Sequence, residues 1–235
     1  MAKKHFVPLE SNPEVLTSFA ANLGADVSNF QFTDVWGLDP DLLAMVPRPV
    51  LAVILLFPME AAPSSRGAAP EAGKRRDDFA LQSLWYTKQT IGNACGTIAV
   101  LHALLNNTED VALAPGSFLA RFREATAAKT PAERAAYLED PPDASVDITS
   151  SHAAAAQAGS TAAPEATADI DLHFVTFVEH GGRLYELDGR REGPVDHGAS
   201  SRDGLLADTA AVVRRVYLSS SDSLSFNLIA LAAAA

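Results

Sequence analysis

The chain contains a single cysteine, Cys95, at a point where an apolar helix is predicted to begin. A Gly92-Asn93 break precedes it, and Ile98 and Leu101 follow at helical spacing. The free N–H groups and the dipole of a first helical turn favour a thiolate, which is the nucleophilic form of cysteine. Cys95 is therefore a candidate for covalent catalysis, with a small buried hydrophobic residue as the alternative.

A cysteine nucleophile needs a base, and His173 has the surroundings of one. It begins a strand-like run that leads into a Gly181-Gly182 turn, and Asp188 closes the returning strand. If the two glycines form the hairpin loop, residue 173 lies beside residues 188 to 190, because paired strands are about 4.8 Å apart. Asp188 is then predicted to orient the His173 ring while that ring takes the thiol proton.

The remaining polar candidates carry a weaker signal. Gln89 lies six residues before Cys95, where its amide can donate to an oxyanion together with the Cys95 N–H. The alternative for Gln89 is an exposed polar residue. The other histidines lack a carboxylate partner in their own element and are predicted to be solvated or, in one case, packed. They are His5, His102, His152, His180 and His197.

The composition restricts the class of protein. A chain of 235 residues with 48% hydrophobic residues can form one compact domain, and its longest apolar run, residues 50–57, is too short for a membrane span. That run is typical of a central buried strand. One cysteine precludes an internal disulfide and indicates a reducing compartment, and the N-terminus lacks the apolar region of a secretory signal. The net charge of −11 argues against a nucleic-acid partner and favours a basic one.

Local signals predict the elements that position these residues. Asn12-Pro13 begins a helix that Gly24 ends, and Asp39-Pro40 begins a second, short one. Because the clearest connection is a hairpin, the chain is predicted to be α/β with an at least partly antiparallel sheet. The further predicted helices cover residues 79–88, 95–106, 117–127, 131–139 and 203–213, and a last strand covers 226–231.

Two segments are predicted to be mobile. Residues 60–77 hold Pro, Gly, Ser and charges, which is typical of a loop. Residues 141–170 have few apolar anchors, and the run Ala153–Ala156 is too short for a stable isolated helix.

The cysteine block, followed by Leu172-His173 and then Leu187-Asp188-Gly189, resembles the ubiquitin C-terminal hydrolase family of papain-like cysteine peptidases, in its short single-domain form. The likeness covers nearly the whole chain, and no catalytic position departs from it. It implies one domain over residues 1–235, in the α/β (α+β) class, with a central antiparallel sheet, helices on both sides and a knotted backbone. By resemblance the nucleophile, base, orienting residue and oxyanion donor are Cys95, His173, Asp188 and Gln89.

The resemblance also implies a function. The expected enzyme is a monomeric, thiol-dependent deubiquitinase of the cytoplasm, with the nucleus as a second compartment, that removes small adducts or short peptides from the C-terminal glycine of ubiquitin. Nedd8 is an additional expected substrate, and no metal, cofactor, membrane or nucleic acid is expected. The rival from another class is a non-catalytic ubiquitin-binding module of the same fold. A redox sensor is disfavoured, because the chain has no resolving cysteine.

Two further expectations rest on the resemblance. Glu10, Glu14 and Asp34 are the carboxylates expected to face the arginine-bearing tail of ubiquitin, with solvated surface residues as the alternative. Residues 141–170 are expected to cross over the active site, so that an adduct must pass beneath them.

Overall fold

The computed structural model describes residues 4–62, 83–168 and 170–234, which form an α/β fold around a six-stranded sheet. Neighbouring strands are antiparallel, in the order β1-β6-β2-β3-β4-β5. The predicted antiparallel sheet is therefore confirmed. The strands are β1 (Phe30–Asp34), β2 (Val50–Pro58), β3 (Leu172–His180), β4 (Arg183–Leu187), β5 (Val195–Ala199) and β6 (Asn227–Ala233).

Three of the described helices begin at a residue whose side chain caps them. The Asn12 side chain accepts from the N–H of Glu14 at 2.9 Å, and Thr130 and Glu133 form a capping box. None of the helices in the described residues has the length and apolar character needed to cross a membrane. The α-helices are α1 (Pro13–Asn22), α2 (Pro40–Leu43), α3 (Cys95–Leu105), α4 (Phe118–Thr126), α5 (Pro131–Glu139), α6 (Thr149–Gln157) and α7 (Leu205–Val212). Short 3₁₀ segments are Met59–Ala61, Ala144–Val146 and Leu218–Ser220, and Val213–Tyr217 is π-helical.

Strand β2 is the centre of the molecule, as its apolar run predicts. Ile54 belongs to the apolar cluster that contains residues of α1 and α3, whereas Val53 and Leu55 belong to the cluster that contains residues of α7. Both faces of the strand are buried, which explains why its residues are apolar without alternation. Helices therefore cover both faces of the sheet, as expected. The knotted backbone stays a prediction.

The helix predicted over residues 79–88 is wrong in its second half, and its first four residues lie outside the described residues. Trp85–Lys88 has no regular structure, because neighbouring side chains bind its backbone groups. The Asn106 amide bonds both the N–H and the carbonyl oxygen of Trp85, and Arg134 donates to the carbonyl oxygen of Tyr86 at 2.9 Å. Of the loop predicted over residues 60–77, positions 63–77 lie outside the described residues.

Helix α6 lies within residues 141–170, and the mobility expected of that segment stays a prediction, but the solvated position predicted for His152 is wrong. His152 is 2% exposed and stacks on Phe6 with ring centroids 4.1 Å apart. Its Nε2 donates to the carbonyl oxygen of Val7, and its Nδ1 accepts from the hydroxyl of Thr97, both at 2.7 Å. A buried polar side chain therefore helps to attach this segment to the protein, together with the buried apolar side chains of Val146 and Ile148.

Candidate active site

Cys95 is the first residue of α3, as predicted, and it is partly exposed. Asn93 has a φ of 57°, which turns the chain into the helix, and the first helical bond runs from the N–H of Ile98 to the carbonyl oxygen of Ala94 at 2.9 Å. No side chain caps this helix, so the positive end of its dipole is available to a thiolate. Residues 96–105 are all buried, which fixes the start of the helix in place.

The β3–β4 hairpin brings His173 and Asp188 together. The ladder runs from the His180–Arg183 pair to the Thr176–Leu187 pair, and Asp188 follows directly. His173 Nε2 donates to Asp188 Oδ1 at 2.7 Å, with both side chains buried. The predicted hydrogen bond is confirmed.

Other elements hold this pair in position. On the β2 side, the ring of Phe57 packs edge-on against that of His173, with centroids 5.7 Å apart. The N–H of Arg190 donates to Asp188 Oδ1 at 2.9 Å, and the hydroxyl of Tyr86 donates to the Asp188 carbonyl oxygen at 2.7 Å. The turn that follows β4 therefore orients the carboxylate of Asp188, and Tyr86, which lies before α3, holds the backbone of the same residue.

The segment that leads to Cys95 is joined to the same turn. The N–H of Gln89 donates to the carbonyl oxygen of Gly189 at 2.8 Å. A Cβ atom on Gly189 would lie 3.0 Å from the Cβ of Gln89, so this close approach favours glycine. The candidate oxyanion donor and the orienting carboxylate thus belong to one packed unit.

The side chain of Gln89 lies in the turn before α3. Its Nε2 donates to the carbonyl oxygen of Ile91 at 3.2 Å, and an amide nitrogen has a second hydrogen to donate. The Oε1 atom is buried without a hydrogen-bond partner among the described residues. The role of Gln89 toward an oxyanion stays a prediction.

Cys95 and His173 stabilise each other's charged forms. Burial opposes ionisation of the thiol, but its electrostatic attraction to His173 outweighs this effect, so the pKa of Cys95 lies below its usual value. Burial also opposes the imidazolium, but the hydrogen bond and charge of Asp188 and the charge of Cys95 outweigh it and raise the pKa of His173. Burial of Asp188 is likewise outweighed by the bond from His173, so the pKa of that carboxyl is lowered. These shifts favour an imidazolium–thiolate pair.

A cavity of about 360 Å³ lies beside the sulfur. Its walls are mainly apolar, with Leu9, Leu56 and Phe174 among them, and Arg190 adds a positive charge. Part of its lining comes from residues 158–168, an irregular segment between α6 and β3 that we name the strap. A small group attached to the sulfur would therefore lie between the body of the protein and the strap.

The three carboxylates expected to face substrate differ in their surroundings. Glu10 lines the cavity and accepts hydrogen bonds from Ser160 and Thr161 of the strap. Glu14 is exposed in the first turn of α1, and Asp34 ends the edge strand β1. Their role toward substrate stays a prediction.

Two further histidines near the site, His102 and His197, are more enclosed than a solvated position would make them. His102 is fully buried, stacks on Tyr86 with centroids 5.2 Å apart, and burial lowers its pKa to about 4. The prediction of a solvated His197 is wrong, because its Nε2 donates to the buried Glu186 at 2.8 Å. Glu186 also lies 3.6 Å from Arg191, which approaches Asp188. Neither strand periodicity nor motif spacing predicts the role of Glu186. Within the described residues, no group of His, Cys, Asp and Glu side chains could hold a metal ion.

Comparison with known proteins agrees with this geometry. Ubiquitin carboxyl-terminal hydrolase family 1 matches residues 6–217. Ubiquitin carboxyl-terminal hydrolase 3 of Arabidopsis thaliana is 42% identical over 98% of this chain and 95% of its own length. Isozyme L1 of Homo sapiens is 37% identical over 97% of this chain and 98% of its own.

A solved structure shares the fold. The catalytic domain of Trichinella spiralis UCH37, bound to ubiquitin vinyl methyl ester, superposes with a TM-score of 0.72 at 24% identity, over 99% of this chain and 98% of that one. The matches therefore extend over both halves of the sheet and over the residues that surround the reactive sulfur. From this extent of similarity we conclude that the chain belongs to family 1 of the ubiquitin carboxyl-terminal hydrolases, which are cysteine peptidases.

Proposed function

We propose that this enzyme hydrolyses the bond after the C-terminal glycine of ubiquitin, or of Nedd8, when that glycine carries a small adduct or short peptide. The observation that carries the proposal is the 2.7 Å contact between His173 and Asp188 next to the lowered-pKa thiol of Cys95. These three groups supply a nucleophile, a base and a residue that orients the base.

The proposed reaction proceeds in two steps. The Cys95 thiolate attacks the glycine carbonyl carbon, and Gln89 together with the Cys95 N–H stabilises the oxyanion. His173 then protonates the departing amine as the C–N bond breaks, which leaves a thioester. In the second step His173 takes a proton from water, the water oxygen attacks the thioester carbon, and the glycine carboxylate and thiol are released. No step needs a metal or organic cofactor.

The surface offers features that a folded protein substrate would use. Trp36, which precedes α2, is 71% exposed, and Met45, which follows α2, is 65% exposed. Large apolar side chains left in solvent commonly mark protein contacts. Glu10, Glu14 and Asp34, in a chain with a net charge of −11, would attract a basic tail.

The strap supports the proposed limit on adduct size. It lines one side of the cavity beside Cys95, so we expect a leaving group attached to the substrate glycine to pass close to it. We propose that the enzyme is a single domain that acts as a monomer. We place it in the cytoplasm and nucleus, because its partly exposed thiol must stay reduced to function.

A ubiquitin derivative with an electrophile in place of its C-terminal carboxylate tests the proposal. The expected result is stoichiometric labelling of Cys95, found by mass spectrometry of the digested protein, and no labelling of Cys95→Ala. The Cys95→Ala variant should keep its affinity for ubiquitin, because binding is spread over a large surface. Ubiquitin binding without labelling or turnover would instead identify a non-catalytic binding module.

A further inference from the structure

The carboxylate of Glu10 makes an extensive contact with the strap, 150 residues later in the chain. Its Oε2 accepts from the N–H of Thr161 at 2.9 Å and from the Thr161 hydroxyl at 2.5 Å. Its Oε1 accepts from the Ser160 hydroxyl at 2.9 Å and from the Ser160 N–H at 3.3 Å. The amide of Asn12, two residues after Glu10, also donates to Glu10 Oε1 at 3.0 Å. All these donors favour the ionised carboxylate, and bonds to a charged group are stronger than neutral ones.

The local sequence permits this close approach. A Cβ atom on Gly159 would lie 2.6 Å from Glu10 Oε2, so a larger residue there would push the carboxylate away. The bonds lower the pKa of Glu10 to about 2, with the Thr161 hydroxyl as the largest cause. The carboxylate therefore stays ionised at neutral pH and keeps all of its acceptor positions.

A second attachment holds the other end of the strap. Asn93 Nδ2 lies 2.9 Å from the carbonyl oxygen of Ala166 and 3.0 Å from that of Ala168. Between the two attachments, Ala163 and Pro164 line the cavity that contains Cys95. The strap has no regular secondary structure over these residues, so these side-chain contacts rather than a backbone ladder fix its path.

We propose that Glu10 is a specificity-determining residue, which limits the size of the adduct by fastening Ser160 and Thr161 of the strap across the cavity. This inference rests on the proposed function, since it concerns the adduct that leaves the ubiquitin glycine. Glu10 suits this role better than Asn93, because Asn93 also shapes the turn before the nucleophile. Removal of Glu10 loosens one end of the strap and leaves the Cys95 turn intact.

The proposal separates two roles for one carboxylate. If Glu10 only bound the basic tail of the substrate, its loss would raise KM for every adduct alike. If Glu10 fastens the strap, its loss would favour bulky adducts selectively. Removing the strap's own hydroxyl groups would have the same selective effect while Glu10 stays available to the tail.

The experiment compares two substrates. One is ubiquitin with a C-terminal aminocoumarin amide, and the other is ubiquitin fused through its C-terminus to a second folded ubiquitin. The variants are Glu10→Ala and the double variant Ser160→Ala/Thr161→Val. Thr167→Val is the matched control, because Thr167 is an exposed threonine of the same strap that makes no bond to Glu10. Amide hydrogen exchange of residues 158–168 is measured on each free protein.

We expect both variants to raise the ratio of kcat/KM for the bulky substrate to that for the small one about tenfold, since hydrogen bonds to a carboxylate are lost. Exchange in the strap should accelerate in both variants, and Thr167→Val should match the wild type. An unchanged ratio in the double variant overturns the specificity role, whatever Glu10→Ala does. Unchanged exchange in both variants overturns the fastening itself. The exchange measurement needs no substrate, so it separates failure of this inference from failure of the proposed function.

Discussion

The His173–Asp188 pair of the active site and the strap beside it are held by different kinds of contact. His173 and Asp188 are buried, and the strands that carry them are joined by a continuous backbone ladder. The strap has no ladder, is largely exposed, and depends on the side chains of Glu10 and Asn93. Backbone ladders open only with the sheet, whereas solvated side-chain contacts open locally. The chemistry is therefore held rigidly while access to it can be adjusted.

The strongest test of the rigid part is Asp188→Asn. An asparagine fits the same space but removes the negative charge that stabilises and orients the His173 imidazolium. We expect kcat to fall by up to about 10⁴, the effect known for the equivalent change in a serine protease triad. Steady-state kinetics with a ubiquitin coumarin amide measure this loss. A fall of less than tenfold would show that the sheet alone orients the ring.

The next largest effect is expected at Gln89, the proposed oxyanion donor. Gln89→Ala should lower kcat by about 10²–10³ with little change in KM, as for the loss of one oxyanion donor. The fold should survive, because the backbone bond from Gln89 to Gly189 does not involve the side chain. A change confined to KM would assign Gln89 to substrate binding instead.

His152 lies at the border between the two regions, since it attaches α6 to the nucleophile helix. His152→Ala leaves the Thr97 hydroxyl and Val7 carbonyl oxygen without their partner and creates a cavity beside Phe6. We expect a loss of about 2–4 kcal/mol in the free energy of unfolding, measured by urea denaturation. His180→Ala is the control and should change the free energy of unfolding by less than about 0.5 kcal/mol, because among the described residues its side chain bonds the exposed Ser83 at the surface. Equal effects from both would contradict the anchoring role.

The pH dependence of kcat/KM tests the ion pair of the rigid region. The pKa of Cys95 is lowered and that of His173 is raised, so the imidazolium–thiolate pair dominates between the two values. Activity should be flat in that window and fall about tenfold per pH unit below the pKa of Cys95 and above that of His173. In Asp188→Asn the alkaline limb should move to lower pH, since Asp188 raises the pKa of His173. An unmoved limb would mean that another group titrates there.

The smallest effect is expected on the exposed side, at Glu14 and Asp34. Reversing either charge to Lys should raise KM about threefold at low ionic strength and less at high salt, because exposed charges are screened. Glu124→Lys on α4 makes the same change in net charge at another exposed position and should leave KM unchanged. If the control changes KM equally, net charge rather than these two residues attracts the substrate.

The sequence could predict that Cys95 begins a helix and that His173 contacts Asp188, because both placements follow from local geometry. A two-glycine turn fixes the register of a hairpin, and that register alone places residue 173 beside residue 188. The position of Cys95 likewise follows from a helix start within three residues of it. In both cases a few neighbouring residues contain the signal.

Two of the predictions that proved wrong, for His152 and for residues 85–88, concern contacts between residues far apart in the sequence. Helix α6 is ordered by His152, whose partners are 55 and 145 residues away along the chain. Trp85–Lys88 avoids a helix because side chains of α5 and of the residue after α3 bind its backbone groups. Composition and periodicity count apolar residues, so they do not report a polar anchor that becomes buried only in the fold.

The place of β2 has a consequence for how the enzyme loses activity on heating. Phe57 of this strand is the register partner of His173, and the strand is flanked by β3 and β6 with both faces buried. Amides in such a strand exchange with solvent only when the whole molecule unfolds. The position of His173 should therefore be kept until the sheet itself opens, so we expect the loss of its contact with Asp188 on heating to coincide with melting of the protein.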